Sequence, residues 1–190
     1  LARNNADNKV AIAQAGAVGP TIELLQAGTD WGKELAAMLL ATLAINDDNE
    51  VAIVQAGAAG PLVQLLQTGT DTAQELAAAA LDNLAINVSN KVAIAQAGAV
   101  GPLVQLLETG TPRGKEEAAG ALRGLSGNAE NRIAIKQAGA DKALCMLLQT
   151  VSPHKEVIVT VADQSTVASL KVLASSLKAA KVPNFLVVAA

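Results

Sequence analysis

The tripeptide Gln14-Ala15-Gly16 returns as Gln55-Ala56-Gly57, Gln96-Ala97-Gly98 and Gln137-Ala138-Gly139, each time 41 residues on. Pro20, Pro61 and Pro102 keep that step, as do Gly28, Gly69 and Gly110. So do the pairs Leu24-Leu25, Leu65-Leu66, Leu106-Leu107 and Leu147-Leu148. A fixed period of this length means a stacked array, because a unit so small cannot bury its apolar face alone and must shelter it against the next copy. The 190 residues are therefore expected to form one elongated domain with a continuous core. Such a core makes catalysis an unexpected purpose.

The chain is 51% hydrophobic but only 1% aromatic, so the core must be built from Ala, Leu, Val and Ile. Ala and Leu are among the strongest helix formers, and the sequence reads as all-helical. The formal net charge is −3 and no basic stripe is present, which argues against nucleic acid as a partner. No apolar run approaches the ~20 residues that span a bilayer, so membrane insertion is not expected. Cys145 is the only cysteine and cannot form an internal disulfide. Nothing resembles a signal peptide. An intracellular setting is expected, cytoplasmic first and nuclear second. The chain does not begin with Met and reads as processed or excised from something longer.

One repeat, Asn49 to Asn90, divides into three helical pieces. Asp48 or Asn49 can cap a short helix over Glu50–Ala56, which Gly57 ends in the left-handed conformation that glycine adopts most cheaply. A second helix starts at Gly60-Pro61, where the missing proline N–H would have had no partner. Leu62, Val63, Leu65 and Leu66 give it a broad apolar face, and Gly69 ends it. Thr70 or Asp71 caps a third helix of ~16 residues, about 24 Å long, that runs to about Ile86. Its stripe is Leu76, Ala80 and Leu84, widened by Ala77 and Leu81.

This short, medium and long helix pattern resembles the armadillo repeat. The carrying segments are Asn90-Lys91-Val92-Ala93-Ile94-Ala95-Gln96-Ala97-Gly98-Ala99-Val100, Gly101-Pro102-Leu103-Val104-Gln105-Leu106-Leu107 and Ala79-Ala80-Leu81-Asp82-Asn83-Leu84-Ala85. A HEAT-like array of two-helix units is the rival. The resemblance implies a right-handed α-solenoid superhelix and covers nearly the whole chain. The expected boundaries are 1–7 for the tail of a preceding repeat, then repeats over 8–48, 49–89, 90–130 and 131–171. The fourth repeat is degenerate, with Ala143 for proline, Val151 for glycine, and a third helix expected over Pro153–Ser169 despite its β-branched residues. Residues 172–190 read as a partial fifth repeat or a cap. Between a true cap and a cut from a longer array, the apolar ending favours the cut, which predicts some self-association through exposed ends.

In armadillo proteins the third helices line a concave groove, and the resemblance implies a protein or extended peptide as partner. Helices stacked roughly 8–10 Å apart make a parallel rack of side chains. Equivalent positions on this rack are Glu34, Glu75 and Glu116; Lys33, Gln74 and Lys115; Met38, Ala79 and Gly120; Thr42, Asn83 and Gly124; and Ala41, Asp82 and Arg123. Peptide-binding members of the family place Trp at the Ala79 position and Asn at the Asn83 position, where the amide grips a ligand backbone. Here only Asn83 remains and the Trp row is missing, which argues against recognition of nuclear-import signals. The glutamate row either attracts a basic ligand or caps the first helical turn. Asp82 and Arg123, on neighbouring repeats, can pair with each other. Trp31, whose equivalents are Thr72, Arg113 and His154, is either a partner anchor or a cover for the open end of the array.

Enzyme readings are set aside. His154 is the only histidine, so no His pair can hold a metal. Cys145 takes the place of Ile22, Val63 and Val104 and reads as a small core residue. The glycines recur with the repeat and form no phosphate loop. Asp47-Asp48-Asn49-Glu50 lacks the spacing of a calcium loop, and its counterpart Val88-Ser89-Asn90-Lys91 is not acidic. No catalytic residue, metal or cofactor is expected. The residues point to a non-catalytic interaction scaffold whose groove is marked by Trp31, Glu34, Met38, Thr42, Glu75, Asp82, Asn83, Glu116 and Arg123. The alternatives are an architectural spacer, or a substrate-recruiting module of a larger protein such as a ubiquitin ligase.

Overall fold

The computed structural model describes residues 6–140, 158–161 and 186–189. The chain divides into two units, residues 1–140 and 141–190. The first is built entirely of helices in the described residues. α1 (Ala6–Gln14), α2 (Val18–Ala27) and α3 (Asp30–Leu43) form one triplet. α4 (Asp47–Gln55), α5 (Ala59–Thr68) and α6 (Asp71–Leu84) repeat it, as do α7 (Val88–Gln96), α8 (Val100–Thr109) and α9 (Pro112–Leu125). α10 (Ala129–Gln137) opens a fourth. Among the described residues no single helix is long and apolar enough to cross a membrane.

The first helix of each repeat starts earlier than the sequence suggested. Asn46, Asn87 and Asn128 are the caps, each side chain accepting from a backbone N–H, of Asp48 at 3.1 Å, Ser89 at 2.9 Å and Asn131 at 3.0 Å. Asp48 and Asn49, the expected caps, lie inside α4. Asn46 has the extended backbone (φ −104°, ψ 127°) that a capping residue needs, and the residues after it are already helical. Asn49 turns inward instead. Its Nδ2 donates to the Lys9 carbonyl in α1 at 3.2 Å and to the Leu43 carbonyl at the end of α3 at 3.1 Å. Asn90 does the same to Glu50 (3.0 Å) and Leu84 (3.1 Å), and Asn131 to Lys91 (2.9 Å) and Leu125 (3.2 Å). All three asparagines are buried. Each ties a first helix to the repeat before it and satisfies a carbonyl that a helix end leaves unpaired.

The corner between first and second helices bends by 81° between α4 and α5 and by 83° between α7 and α8. Gly57 makes the turn at φ +91°. Its N–H donates to Val54 O at 2.9 Å and the Ala58 N–H donates to Ile53 O at 3.3 Å, closing the helix end in the manner expected of a left-handed glycine. A Cβ at Gly57 would meet nothing within 4 Å, and the same holds for the helical Gly60. The pair separates backbone conformation from space. Gly57→Ala is expected to lose about 1–2 kcal/mol for the left-handed backbone alone, and Gly60→Ala to gain about 0.5–1 kcal/mol from reduced freedom of the unfolded chain. Urea titration of the two variants checks this. Equal effects of one sign would show that the corner does not depend on φ.

The second helix begins two residues before its proline, so Pro61 is the third residue of α5 rather than the first. The position still lies in the first turn, where no N–H has a helical partner. Gly69 ends α5 in an extended conformation (φ −79°, ψ 167°), and a Cβ there would come within 2.6 Å of Leu65 O. Glycine is required at that point by close approach, not by handedness. Thr29, Thr70 and Thr111 cap the third helices by accepting from Gly32, Ala73 and Gly114 N–H at 3.2, 3.1 and 3.0 Å. α6 is 14 residues, about 21 Å, slightly shorter than expected because Ala85 already closes it.

The core runs between the layers. Leu40, Leu43, Leu62, Leu81, Leu84, Leu103 and Leu125 are fully buried, with Ile53 and Ile94 from the first helices. Ala36, Ala37, Ala77, Ala78, Ala80, Ala118 and Ala121 of the third helices are buried with them. These small residues let neighbouring helices approach so closely that a methyl at Gly124 would come 2.9 Å from Ala85 Cβ.

In the second unit two strands are described, β1 (Ile158–Val161) and β2 (Leu186–Ala189), paired in parallel with Ile158 opposite Leu186. This overturns the expected third helix over Pro153–Ser169 at its centre. Ile158-Val159-Thr160-Val161 is wholly β-branched, and such side chains lose χ1 freedom in a helix while fitting a pleated strand. The N-terminal tail, Ala143, Cys145, His154 and the fading fifth repeat lie outside the described residues.

Candidate functional site on the free face of the third helices

α6 turns Ala73, Ala77, Ala80, Leu81 and Leu84 into the core. At 3.6 residues per turn the opposite face is Thr72, Glu75, Ala79 and Asp82, with Ile86 just beyond the helix end. The 41-residue step puts Trp31, Glu34 and Met38 there on α3, with Ile45 just past its end, and Arg113, Glu116, Gly120 and Arg123 on α9. This face carries four of the large apolar side chains that are left open among the described residues, with Trp31 68% exposed, Met38 46%, Ile45 57% and Ile86 64%; Leu24, Leu35, Val88 and Ile133 are open elsewhere. Ile45 and Ile86 escaped the sequence reading. They follow the last core leucine by two residues, and a helical stripe extended past the helix end would have marked them.

The glutamate row does something other than capping its own turn. Glu34 is the fifth residue of α3, past the first turn. Its Oε1 accepts from the Thr70 hydroxyl, the cap of the next third helix, at 2.6 Å. Glu75 accepts in the same way from Thr111. Each glutamate thus joins its rung to the following one. Glu116, the third of the row, is exposed.

Asn83 faces the preceding repeat, and its Nδ2 donates to Ala41 O in α3 at 2.9 Å. That amide holds two rungs together, which occupies the group expected to grip a ligand backbone. Thr42 is likewise turned onto its own helix, its hydroxyl donating to Met38 O at 2.8 Å. Asp82 leans the other way, over α9. A Cβ on Gly120 would come 2.8 Å from Asp82 Cγ, so the glycine makes room for the carboxylate. The expected Asp82–Arg123 ion pair is not formed. Among the described residues the one ion pair is Arg113 Nε to Glu117 Oε1, at 3.6 Å. Asp82 lies over Gly120 instead, while Arg123 is exposed.

Burial raises the Asp82 carboxyl above the ordinary aspartate range, and Arg123 pulls it partly back. Burial also raises Glu117, with Arg113 opposing and the Asp82 and Glu116 charges adding. Glu50 is raised by burial and by Asp47, against a backbone hydrogen bond from Asn87. A carboxyl that holds its proton more tightly folded than unfolded binds more protons in the native state, so stability falls as pH rises through that interval. The chain is expected to gain stability as pH falls from neutral toward the ordinary carboxylate range. Asp82→Asn, which removes one such group, should flatten the rise. Thermal melts from about pH 7 to about pH 5 test it, and a melting temperature that drops steadily over that range in the parent chain would contradict it.

Among the described residues no three His, Cys, Asp or Glu side chains come together as a metal site needs. The face offers one exposed indole, a thioether, carboxylates and guanidinium groups along a row of rungs. Such groups can contact, pair with or stack on a bound chain.

Comparison with known proteins agrees with this architecture. The armadillo/β-catenin-like repeat matches residues 46–86 and 87–127. An engineered protein of known crystal structure is similar over 94% of this chain and 77% of its own, with 29% identity and a TM-score of 0.81. A computationally designed armadillo repeat protein for modular peptide recognition is 25% identical, with a TM-score of 0.75 over 94% of this chain and 71% of its own. A designed armadillo repeat protein in complex with the peptide (KR)4 is 23% identical, with a TM-score of 0.75 over 95% of this chain and 77% of its own. No curated protein matches the chain. The 41-residue step, the three-helix unit and these likenesses agree: the described helices have the armadillo-repeat fold, and residues 46–127 match the family's own repeat.

Proposed function

We propose that the protein is a non-catalytic interaction scaffold, intracellular, whose third-helix face takes an extended peptide or a segment of a partner protein. The observation that carries the reading is the free face itself. Trp31, Met38, Ile45 and Ile86 stand open on it among small and charged side chains. Exposed Trp is the side chain most often found anchoring a partner. The designed relative at 25% identity, named for modular peptide recognition, supports the same use of the fold.

Trp31 is the only tryptophan, so it reports on the face without labelling. Addition of a bound peptide is expected to shift its emission to shorter wavelength. Trp31→Ala should abolish the signal and weaken binding by about 1–2 kcal/mol, roughly 5- to 30-fold, measured by calorimetry. Peptide binding that leaves both Trp31 emission and the Trp31→Ala affinity unchanged would place the partner elsewhere. A face inert to every peptide would favour an architectural spacer.

A further inference from the structure

One side of each third helix faces the rung before it. On α9 a Cβ at Gly120 would come 2.8 Å from Asp82 Cγ, and one at Gly124 2.9 Å from Ala85 Cβ. On α6, Asn83 reaches back to Ala41 O. The 41-residue step puts Met38 and Thr42 on that side of α3, and helical spacing sets Leu35 and Leu39 beside them. Leu24 of α2 belongs to the same side. It is 43% exposed, whereas its counterparts Leu65 and Leu106 are each 4% exposed. Leu35 and Met38 are also open, while their counterparts on α6 and α9 are partly covered. Leu39 is partly buried where Ala80 and Ala121 are fully buried. Trp31 stands outside this patch, because its counterparts Thr72 and Arg113 stay exposed with a rung packed before them.

Side-chain size limits what can cover the patch. The inner rungs carry Ala79-Ala80 and Gly120-Ala121 at the contact, and α3 carries Met38-Leu39. A further rung at the inner spacing would be overpacked by those two side chains. Leu24, Leu35, Met38, Leu39 and Thr42 carry no charge, so the patch holds nothing to orient a charged partner. Glu34, the nearest carboxylate in sequence, is engaged with the Thr70 hydroxyl. A second copy of the same patch meets each of these conditions: it is apolar, it brings no opposing charge, and its large side chains can interdigitate with their own kind about a two-fold axis. We propose that this face joins two copies of the chain head to head, with the α3 helices crossing so that Leu35 lies near its own copy. α2 and α3, each about 10 Å across and up to about 21 Å long, offer roughly 400 Å² per copy. Twice that area lies below the usual size of a permanent interface, so association is concentration-dependent. The proposal is independent of peptide binding, since Trp31 stays outside the contact.

Sedimentation velocity of the full chain over a hundredfold range of concentration tests it, with Leu35→Glu and Leu35→Lys alongside. Glu117 already occupies the equivalent position of α9, so the helix accommodates a charge there, and circular dichroism confirms that both variants fold. The parent mass is expected to rise from one chain toward two across the range. Each variant alone sets like charges against each other near the axis and should associate at least tenfold more weakly. Mixed one to one, the variants set Glu against Lys, and association should return. A single-chain mass for the parent at every concentration would overturn the proposal and leave the face to an unrelated partner. Parent association that both variants keep would place the contact elsewhere and overturn it as well. Association lost in both variants and not restored on mixing would mean that the face meets a different surface of the copy, which overturns the two-fold pairing.

Discussion

Asn90→Asp is expected to lower the stability of the chain by about 4 kcal/mol at neutral pH, near the upper end of what single substitutions do. Asn90 is 2% exposed and donates to two carbonyls, Glu50 O and Leu84 O. Aspartate has the same shape but no donor, so both bonds vanish and a buried carboxylate is set against two carbonyl oxygens. Each hydrogen bond lost in a buried site leaves a penalty of about 1–3 kcal/mol, and a buried unpaired charge adds to it. For a chain of this size the melting temperature should fall by roughly 8–16 °C. Part of the loss should return at acidic pH, where the carboxyl binds a proton and regains one donor. Asn90→Ala has no such recovery and distinguishes lost bonds from introduced charge. Thermal melts of the three proteins at two pH values decide it. A neutral Asn90→Asp would mean that the asparagine rungs do not hold the repeats together.

Leu81→Ala is the second large effect, at about 3–4 kcal/mol. Leu81 is fully buried on the core face of α6. Large-to-small changes of this kind lose the transfer energy of the removed methylenes plus a term for the cavity that remains, about 2–5 kcal/mol in all. The alanine-rich surroundings place this site in the upper half of that range. Ala77, Ala78 and Ala80 are buried and have no rotamers with which to fill the hole. Urea unfolding of Leu81→Ala should show a lower midpoint, and Leu81→Met, which roughly conserves volume, should restore most of it. A loss below about 1 kcal/mol would imply that the third helices slide together to close the gap.

The periodic part of the fold was fully legible. Gly57, Pro61 and Leu66 recur at one step, and the backbone follows that step through every described helix. The capping threonines could be read too, since a hydroxyl placed before a helical run has one obvious local use. The asparagine rungs were harder to read. Each corner contains two asparagines three residues apart, Asn46 and Asn49, Asn87 and Asn90, Asn128 and Asn131. One cap needs only one of them. The second, recurring without slippage, was the available sign of an inward role, but one of its two carbonyl partners lies 40 residues away, where no local pattern reveals it.

The candidate face was half legible for a related reason. Helical periodicity puts Glu75, Ala79 and Asp82 on one side of α6. It does not say which neighbour a side chain leans toward. Glu34 and Glu75 reach forward to the next cap, Asn83 reaches back to Ala41, and Asp82 settles over Gly120 instead of meeting Arg123. Those choices depend on the stagger between stacked helices, which one sequence does not encode locally. The strand at Ile158–Val161 is a different failure. There the repeat register promised a helix while the β-branched run opposed it, and local propensity prevailed.

The most direct measurement is backbone and indole NMR of the labelled chain with and without a peptide that shifts Trp31 emission. Shifts are expected to be confined to the third-helix face, with the Trp31 indole, Ala79, Asp82 and Arg123 moving together and α2, α5 and α8 silent. Shifts concentrated on the second helices, with Trp31 and Asp82 unmoved, would contradict it.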